Sequence, residues 1–195
     1  MKIKISDSFL AVLAVMIALN GIKLFLFIMF TCILHEFAHF FAIFLLKLKV
    51  EEFSITFVGG SIKCSKLPMQ SNINLVFVYI SGIIVNFSLG FLCNFIASNG
   101  FYSRNFFILS GINFLFAIFN SLPIKILDGY FILKYFLLIF FKNEILVTVI
   151  CDFISVVFNF LLVFLGVYLA FASNFSILII SLYLLFSSLK NFSFF

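Results

Sequence analysis

The sequence predicts an all-α polytopic membrane protein of about six transmembrane helices, with a small β-hairpin at the cytoplasmic membrane surface. Three observations predict it. The 195 residues are 65% hydrophobic and only 10% charged, with a mean hydropathy of +1.33, more apolar surface than a soluble core of this size hides. Apolar runs near the length that crosses a hydrocarbon core, about 20 residues in a helix, recur along the chain. One stretch, residues 49–66, alternates with the period of a strand instead. Disorder is excluded by the same composition, because disordered chains are polar and charged.

The first span is expected over residues 9–22, with Asn20-Gly21 forming a turn, and the second over 24–46 between Lys23 and Lys47. Residues 49–66, KVEEFSITFVGGSIKCSK, alternate over Phe53, Ile55 and Phe57, then turn at Gly59-Gly60 into Ser61. That is the pattern of a short hairpin. A third span covers 74–97, and a fourth covers 105–122 and meets Pro123. Residues 130–141 are apolar but too short to cross alone, and read as a partial or re-entrant helix. The last two spans run 146–171 and 176–189.

Lysine and arginine set the orientation. With six spans and a cytoplasmic N-terminus, the inner segments hold Lys2, Lys4, Lys47, Lys49, Lys63, Lys66, Lys125, Lys134, Lys142 and Lys190, and the outer turns hold only Lys23 and Arg104. This bias predicts a multi-pass cell-membrane protein with both termini in the cytoplasm. The net charge of +5 is spread between apolar spans, so it serves anchoring in the lipid bilayer and not nucleic acid. The N-terminal segment lacks a small-residue cleavage site and reads as a retained helix. Cys32, Cys64, Cys93 and Cys151 show no C-x-x-C pairing and read as packing residues. Residues 1–195 are expected to form a single transmembrane domain, with no PDZ or CBS module.

Both histidines of the chain fall in one motif, His35-Glu36-Phe37-Ala38-His39. Residues four apart share a helix face, so the two imidazoles can bind one Zn²⁺. Glu36 is then placed to take a proton from an attacking water. A histidine in an apolar helix is often a core residue with a local partner. A carboxylate there, however, carries a penalty of ~2.5–3.5 kcal/mol or more unless it has a partner or water. Two histidines and a glutamate within five residues have one shared reason in a metal ion. Helix rise places His39 ~12 Å from the Lys47 edge and His35 ~18 Å from Lys23, so water must reach the site from the nearer, cytoplasmic side.

A catalytic zinc takes three protein ligands and leaves one position open. Asp7, Glu51 and Glu52 belong to the membrane surface, and Glu144 pairs naturally with Lys142. Two carboxylates remain, Asp128 and Asp152. Asp128 is favoured, because it follows Pro123, which interrupts a span, and precedes Gly129, which permits close backbone approach. A broken helix at membrane depth is tolerated only around a cavity or a buried site.

At these residues the chain resembles the site-2 protease family of intramembrane zinc metalloproteases. The resemblance lies in His35-Glu36-x-x-His39 and in Asn120-x-x-Pro123-x-x-x-Leu127-Asp128-Gly129, with weaker matches at Gly59-Gly60 and at Ser81–Asn86, where Ile83 replaces a proline. It is most similar to the stage IV sporulation protein FB subgroup. The resemblance implies one zinc ion on His35, His39 and Asp128, with Glu36 as catalytic base and Asn120 near the scissile carbonyl. It implies a membrane-associated protein substrate, such as a sigma-factor precursor in sporulation, and control by membrane regulatory proteins. Asn120 would stabilise the oxyanion, its alternative role being a helix-end cap beside Pro123. The hairpin's edge could hold an unwound substrate extended, its alternative role being a surface anchor.

Two rival functions keep the same ligands: a catalytically silent metal-binding membrane regulator, and a metal transporter. A transporter would need polar residues along several helices, and the sequence shows few. Two histidines are too few for a di-iron site.

Overall fold

The N-terminal strand is where the architecture first departs from the sequence reading. In the computed structural model, which describes residues 2–5, 7–56, 59–64, 67–100, 103–171 and 176–190 (the strands, residues 7–21 and a few helix-end positions as backbone alone), β1 (Lys2–Ile5) pairs in parallel with β2 (Glu52–Thr56). β2 in turn pairs antiparallel with β3 (Gly59–Lys63). The expected all-α chain with a lone hairpin is therefore corrected to a chain with a three-stranded sheet of order β1-β2-β3. Lys-Ile-Lys-Ile already alternates, but four residues are too few to separate a strand from a helix's charged leader. Gly59 and Gly60 lie within β3, facing Thr56 and Ile55 across the ladder, and so do not form the turn expected of them; residues 57–58 lie outside the described residues.

The count of about six spans is also corrected. Among the described residues, three helices are long and apolar enough to cross a membrane: Ile22–Leu45, Asn72–Ser98 and Glu144–Ala170. The expected first two spans are one element, α1 (Asp7–Leu45), of 39 residues. Asn20-Gly21 lowers helix propensity there without ending the helix, as a single glycine costs only about 1 kcal/mol. A straight helix of this length would separate its ends by about 57 Å. Yet β1 and β2 at its two ends are hydrogen-bonded neighbours, and the linking chain reaches about 45 Å at most. α1 is therefore sharply bent. α3 (Ser103–Asn120) and α6 (Ser176–Lys190) are apolar but shorter. Pro123 limits α3, because proline disfavours helix in the residue before it and donates no hydrogen bond.

The chain divides into two compact units, Met1–Ile118 and Phe119–Phe195. In the first, α2 (Asn72–Ser98) begins with Ser71 accepting from the Asn74 amide and packs on α1. Ala42, Ile43 and Val78 form a buried cluster between the two helices. Gly90 of α2 meets the Phe114 ring of α3, and the Ser110 hydroxyl donates to the Gly90 carbonyl at 2.8 Å. Outward positions carry Phe30, Phe37, Phe41, Phe44, Phe91 and Phe95, all exposed. Bare aromatic surface on this scale suits lipid and not water. The chain is a multi-pass membrane protein.

The second unit holds α4 (Asp128–Phe140), α5 (Glu144–Ala170) and α6. α5 inverts the soluble pattern, with Cys151, Ser155, Asn159 and Gly166 buried and Phe153, Phe160 and Phe164 exposed. Small and polar residues at such contacts let helices approach closely and satisfy one another. Asn159 donates to the Ser155 carbonyl and the Ser188 hydroxyl, and Gly166 lies against the Leu178 backbone. Glu144 pairs with Lys134 at 3.4 Å, not with the expected Lys142.

Asp152 ties the start of α4 to α5. Its carboxylate accepts from Lys125 Nζ at 2.9 Å and from the Tyr130 hydroxyl at 2.7 Å, and Ser155 Oγ accepts from the Lys125 amide at 2.9 Å. Tyr130 lies outside the three spans. Burial first, then its bond to Asp152, raises its hydroxyl above the ordinary phenol range, so it stays a donor. Asp152→Ala removes the carboxylate that Lys125 and Tyr130 share, and is expected to destabilise the protein by about 3 kcal/mol. Thermal unfolding in detergent reads this directly, and an unchanged midpoint would show that the clamp contributes nothing.

Candidate metal centre

His35 and His39 stand one turn apart on α1, and both are buried. Their Nε2 atoms lie 3.1 Å from each other. Two imidazole nitrogens at that spacing subtend roughly 100° at an ion ~2.05 Å from each, close to a tetrahedral angle. The tautomer of His39 is fixed by its other nitrogen. Nδ1 lies 2.8 Å from the Val78 carbonyl oxygen, and a carbonyl only accepts, so Nδ1 carries the proton and Nε2 keeps its lone pair. Ser81 Oγ donates to the same carbonyl at 2.7 Å and sits 3.3 Å from His39 Nδ1.

Gly82 makes this packing possible. A Cβ there would lie 2.6 Å from His35 Cε1 and 2.7 Å from His39 Nε2, so any side chain would displace the rings. On the other side of His35, the Phe116 ring packs edge to face with a centroid distance of 5.1 Å. The imidazoles thus sit between a bare stretch of α2 and an apolar wall.

In the segment after α3, Asn120 is the last helical residue and is buried. Ile124 and Leu127 are buried anchors of the loop that follows. Asp128 is the first residue of α4, where the helix dipole favours a carboxylate. A Cβ on Gly129 would fall on the Ser121 carbonyl, so the loop closes tightly enough that only glycine fits. This is the close approach that the sequence predicts for Gly129.

The donor atoms of His35, His39 and Asp128 lie within 4.8 Å of one another, a cluster able to hold a metal ion. Nitrogen and carboxylate donors of this kind suit zinc. Asp152, the competing carboxylate, is committed to Lys125 and Tyr130. Glu36 is half-buried on α1 between the two histidines. The sequence reading missed the supporting groups. Val78 offers only a backbone carbonyl, which no residue type announces. Ser81 and Gly82 stand in a weak motif match whose purpose becomes visible only once α2 faces the histidines.

Gly82→Ala is expected to weaken zinc affinity by about 10–100-fold, the usual range for lost support of a ligand, while the helices persist. Zinc competition with a chelator on purified protein checks it, and wild-type affinity would show that the rings tolerate the added methyl group.

No family model and no curated protein matches the chain. Among solved structures it is similar to the site-2 protease from Methanocaldococcus jannaschii, with a TM-score of 0.71 and 21% sequence identity, over 96% of this chain and 89% of that one. The chain has the fold of a site-2 protease, and it carries a His-His-Asp donor cluster at the residues that the resemblance implies.

Proposed function

We propose that the chain is a zinc metalloendopeptidase of the site-2 type, hydrolysing a peptide bond in or near the membrane segment of a substrate protein. The observation that carries this reading is the convergence of His35, His39 and Asp128, two imidazoles and a carboxylate, in a chain built for lipid. These three side chains would hold one zinc ion. Zinc supplies Lewis acidity, which polarises a carbonyl and makes hydroxide available near neutral pH.

The remaining chemistry belongs to the protein. Glu36 accepts the proton of the attacking water through its carboxylate and delivers it to the leaving amine. Asn120 donates its side-chain amide to the carbonyl oxygen as negative charge develops there, a contact worth ~2.7–4 kcal/mol in other hydrolases. Carbonyls within an intact helix are already hydrogen-bonded, so the substrate unwinds before attack. An edge of the three-stranded sheet then holds the unwound segment extended. β1 brings Lys2 and Lys4 into the same sheet as Lys63, and the positive-inside rule makes that sheet cytoplasmic. By the subgroup resemblance, the substrate class is a membrane-associated sigma-factor precursor made during sporulation, under control of membrane regulatory proteins.

Glu36→Gln separates base from ligand. With a co-expressed sigma-factor precursor as probe, the variant is expected to keep zinc and lose at least about 100-fold in cleavage rate. Substantial cleavage by this variant rejects Glu36 as the base. Asp128→Ala is expected to lose zinc and cleavage together, and a full complement of zinc in it would remove Asp128 from the ligand set. Zinc bound by a wild-type chain that cleaves no membrane-associated precursor would favour a silent metal-binding regulator.

A further inference from the structure

One helical turn beyond the imidazoles, away from Lys47, the first unit carries a second group of polar side chains that the proposed chemistry does not use. Thr31, Asn86 and Asn113 come from α1, α2 and α3, and each is 0–1% exposed. Contacts between the helices bring them together. On the facing antiparallel helices α1 and α2, His39 meets the Val78 carbonyl and His35 meets Gly82. The next turn of that register sets Thr31 opposite Asn86. From α3, Asn113 Nδ2 donates to Thr31 Oγ1 at 3.2 Å and to the Leu109 carbonyl at 2.8 Å. Gly90, one turn after Asn86, meets Ser110 and Phe114 of the same helix.

The hydrogen bonding of this group is incomplete. Among the described residues, Asn86 Nδ2, Asn86 Oδ1 and Asn113 Oδ1 are buried with no hydrogen-bond partner. An unsatisfied amide group buried in this way is destabilising, and hydrocarbon offers no relief. Leucine would fit an apolar contact at either position without that penalty. The open atoms are the Asn86 amide nitrogen, which carries two N–H donors, and two carbonyl acceptors. A water molecule donates two hydrogen bonds and accepts up to two, and buried waters make about three bonds. One water has enough donors and acceptors to answer all three atoms.

We propose that Thr31, Asn86 and Asn113 form a water-binding site inside the membrane, one helical turn (~6 Å along α1) from the imidazole pair, which keeps the nucleophile of hydrolysis at hand. The use of that water in cleavage rests on the protease reading above. Its presence does not. Asn86 and Asn113 are positioning residues for water, separate from the groups that hold the metal or move protons.

The test uses the full chain in detergent micelles, labelled with ¹⁵N-asparagine, and reads rotating-frame cross-relaxation between water and the side-chain amide protons. The expected result is a water cross-peak at the Asn86 amide in the wild type, identified as the amide signal that Asn86→Leu removes. Asn113→Leu is expected to weaken that cross-peak, and it serves in place of Asn86→Leu if that variant does not fold. In the cleavage assay, Asn86→Leu is expected to keep a full complement of zinc and an unchanged KM while kcat falls about tenfold. A wild-type Asn86 amide without water cross-relaxation overturns the site, and wild-type kcat in Asn86→Leu overturns its role in supply. If the wild type cleaves nothing, the protease reading fails while the cross-peak still reports on the water site.

Discussion

Hydrocarbon supplies no hydrogen bonds, so each polar side chain in these helices must be answered by the protein or by water held inside it. The bond from His39 Nδ1 to the Val78 carbonyl is the answer on which the rest depends. It draws on a carbonyl that α2 already uses in its own ladder, fixes which nitrogen of His39 keeps a lone pair, and sets the register of α1 against α2. Gly82 then falls against both rings. The same register carries Thr31 to Asn86, so the imidazole pair and the amide cluster are successive turns of one helix contact.

The second unit obeys the same rule with different groups. Asp152 is half-buried on α5, where an unpaired carboxylate would be penalised. It is neutralised by Lys125 and bonded by Tyr130, residues on either side of Asp128. Three of the chain's few ionisable groups thus serve to hold a loop, and the carboxylate left over is the one that joins the histidines.

Much of the donor cluster was legible because lipid makes charge rare. With only two histidines and seven carboxylates, elimination narrows the ligand set to Asp128 or Asp152, and Pro123 with Gly129 favours the former. Spans with strong apolar runs, such as Asn72–Ser98 and Glu144–Ala170, were read within a few residues. The errors fall where local pattern is weak. Asn20-Gly21 looks like a turn, yet intrahelical bonding carries α1 through it. β1 is four residues long and is defined by pairing with a strand some fifty residues away, which no local period reveals. Backbone groups such as the Val78 carbonyl leave no mark in a sequence at all.

The Asp152 clamp also has a mechanical side. Because one carboxylate grips residues both before and after Asp128, a rotation or slide of α5 carries that aspartate along with it. Opposite the buried stripe of α5 stands a row of bare phenylalanines, Phe153, Phe160 and Phe164, open to whatever lies beside it in the bilayer. A neighbouring helix that leaned on this row would hold a lever whose short arm ends at Asp128 of the donor cluster, up to about three turns of α5 from the point of contact.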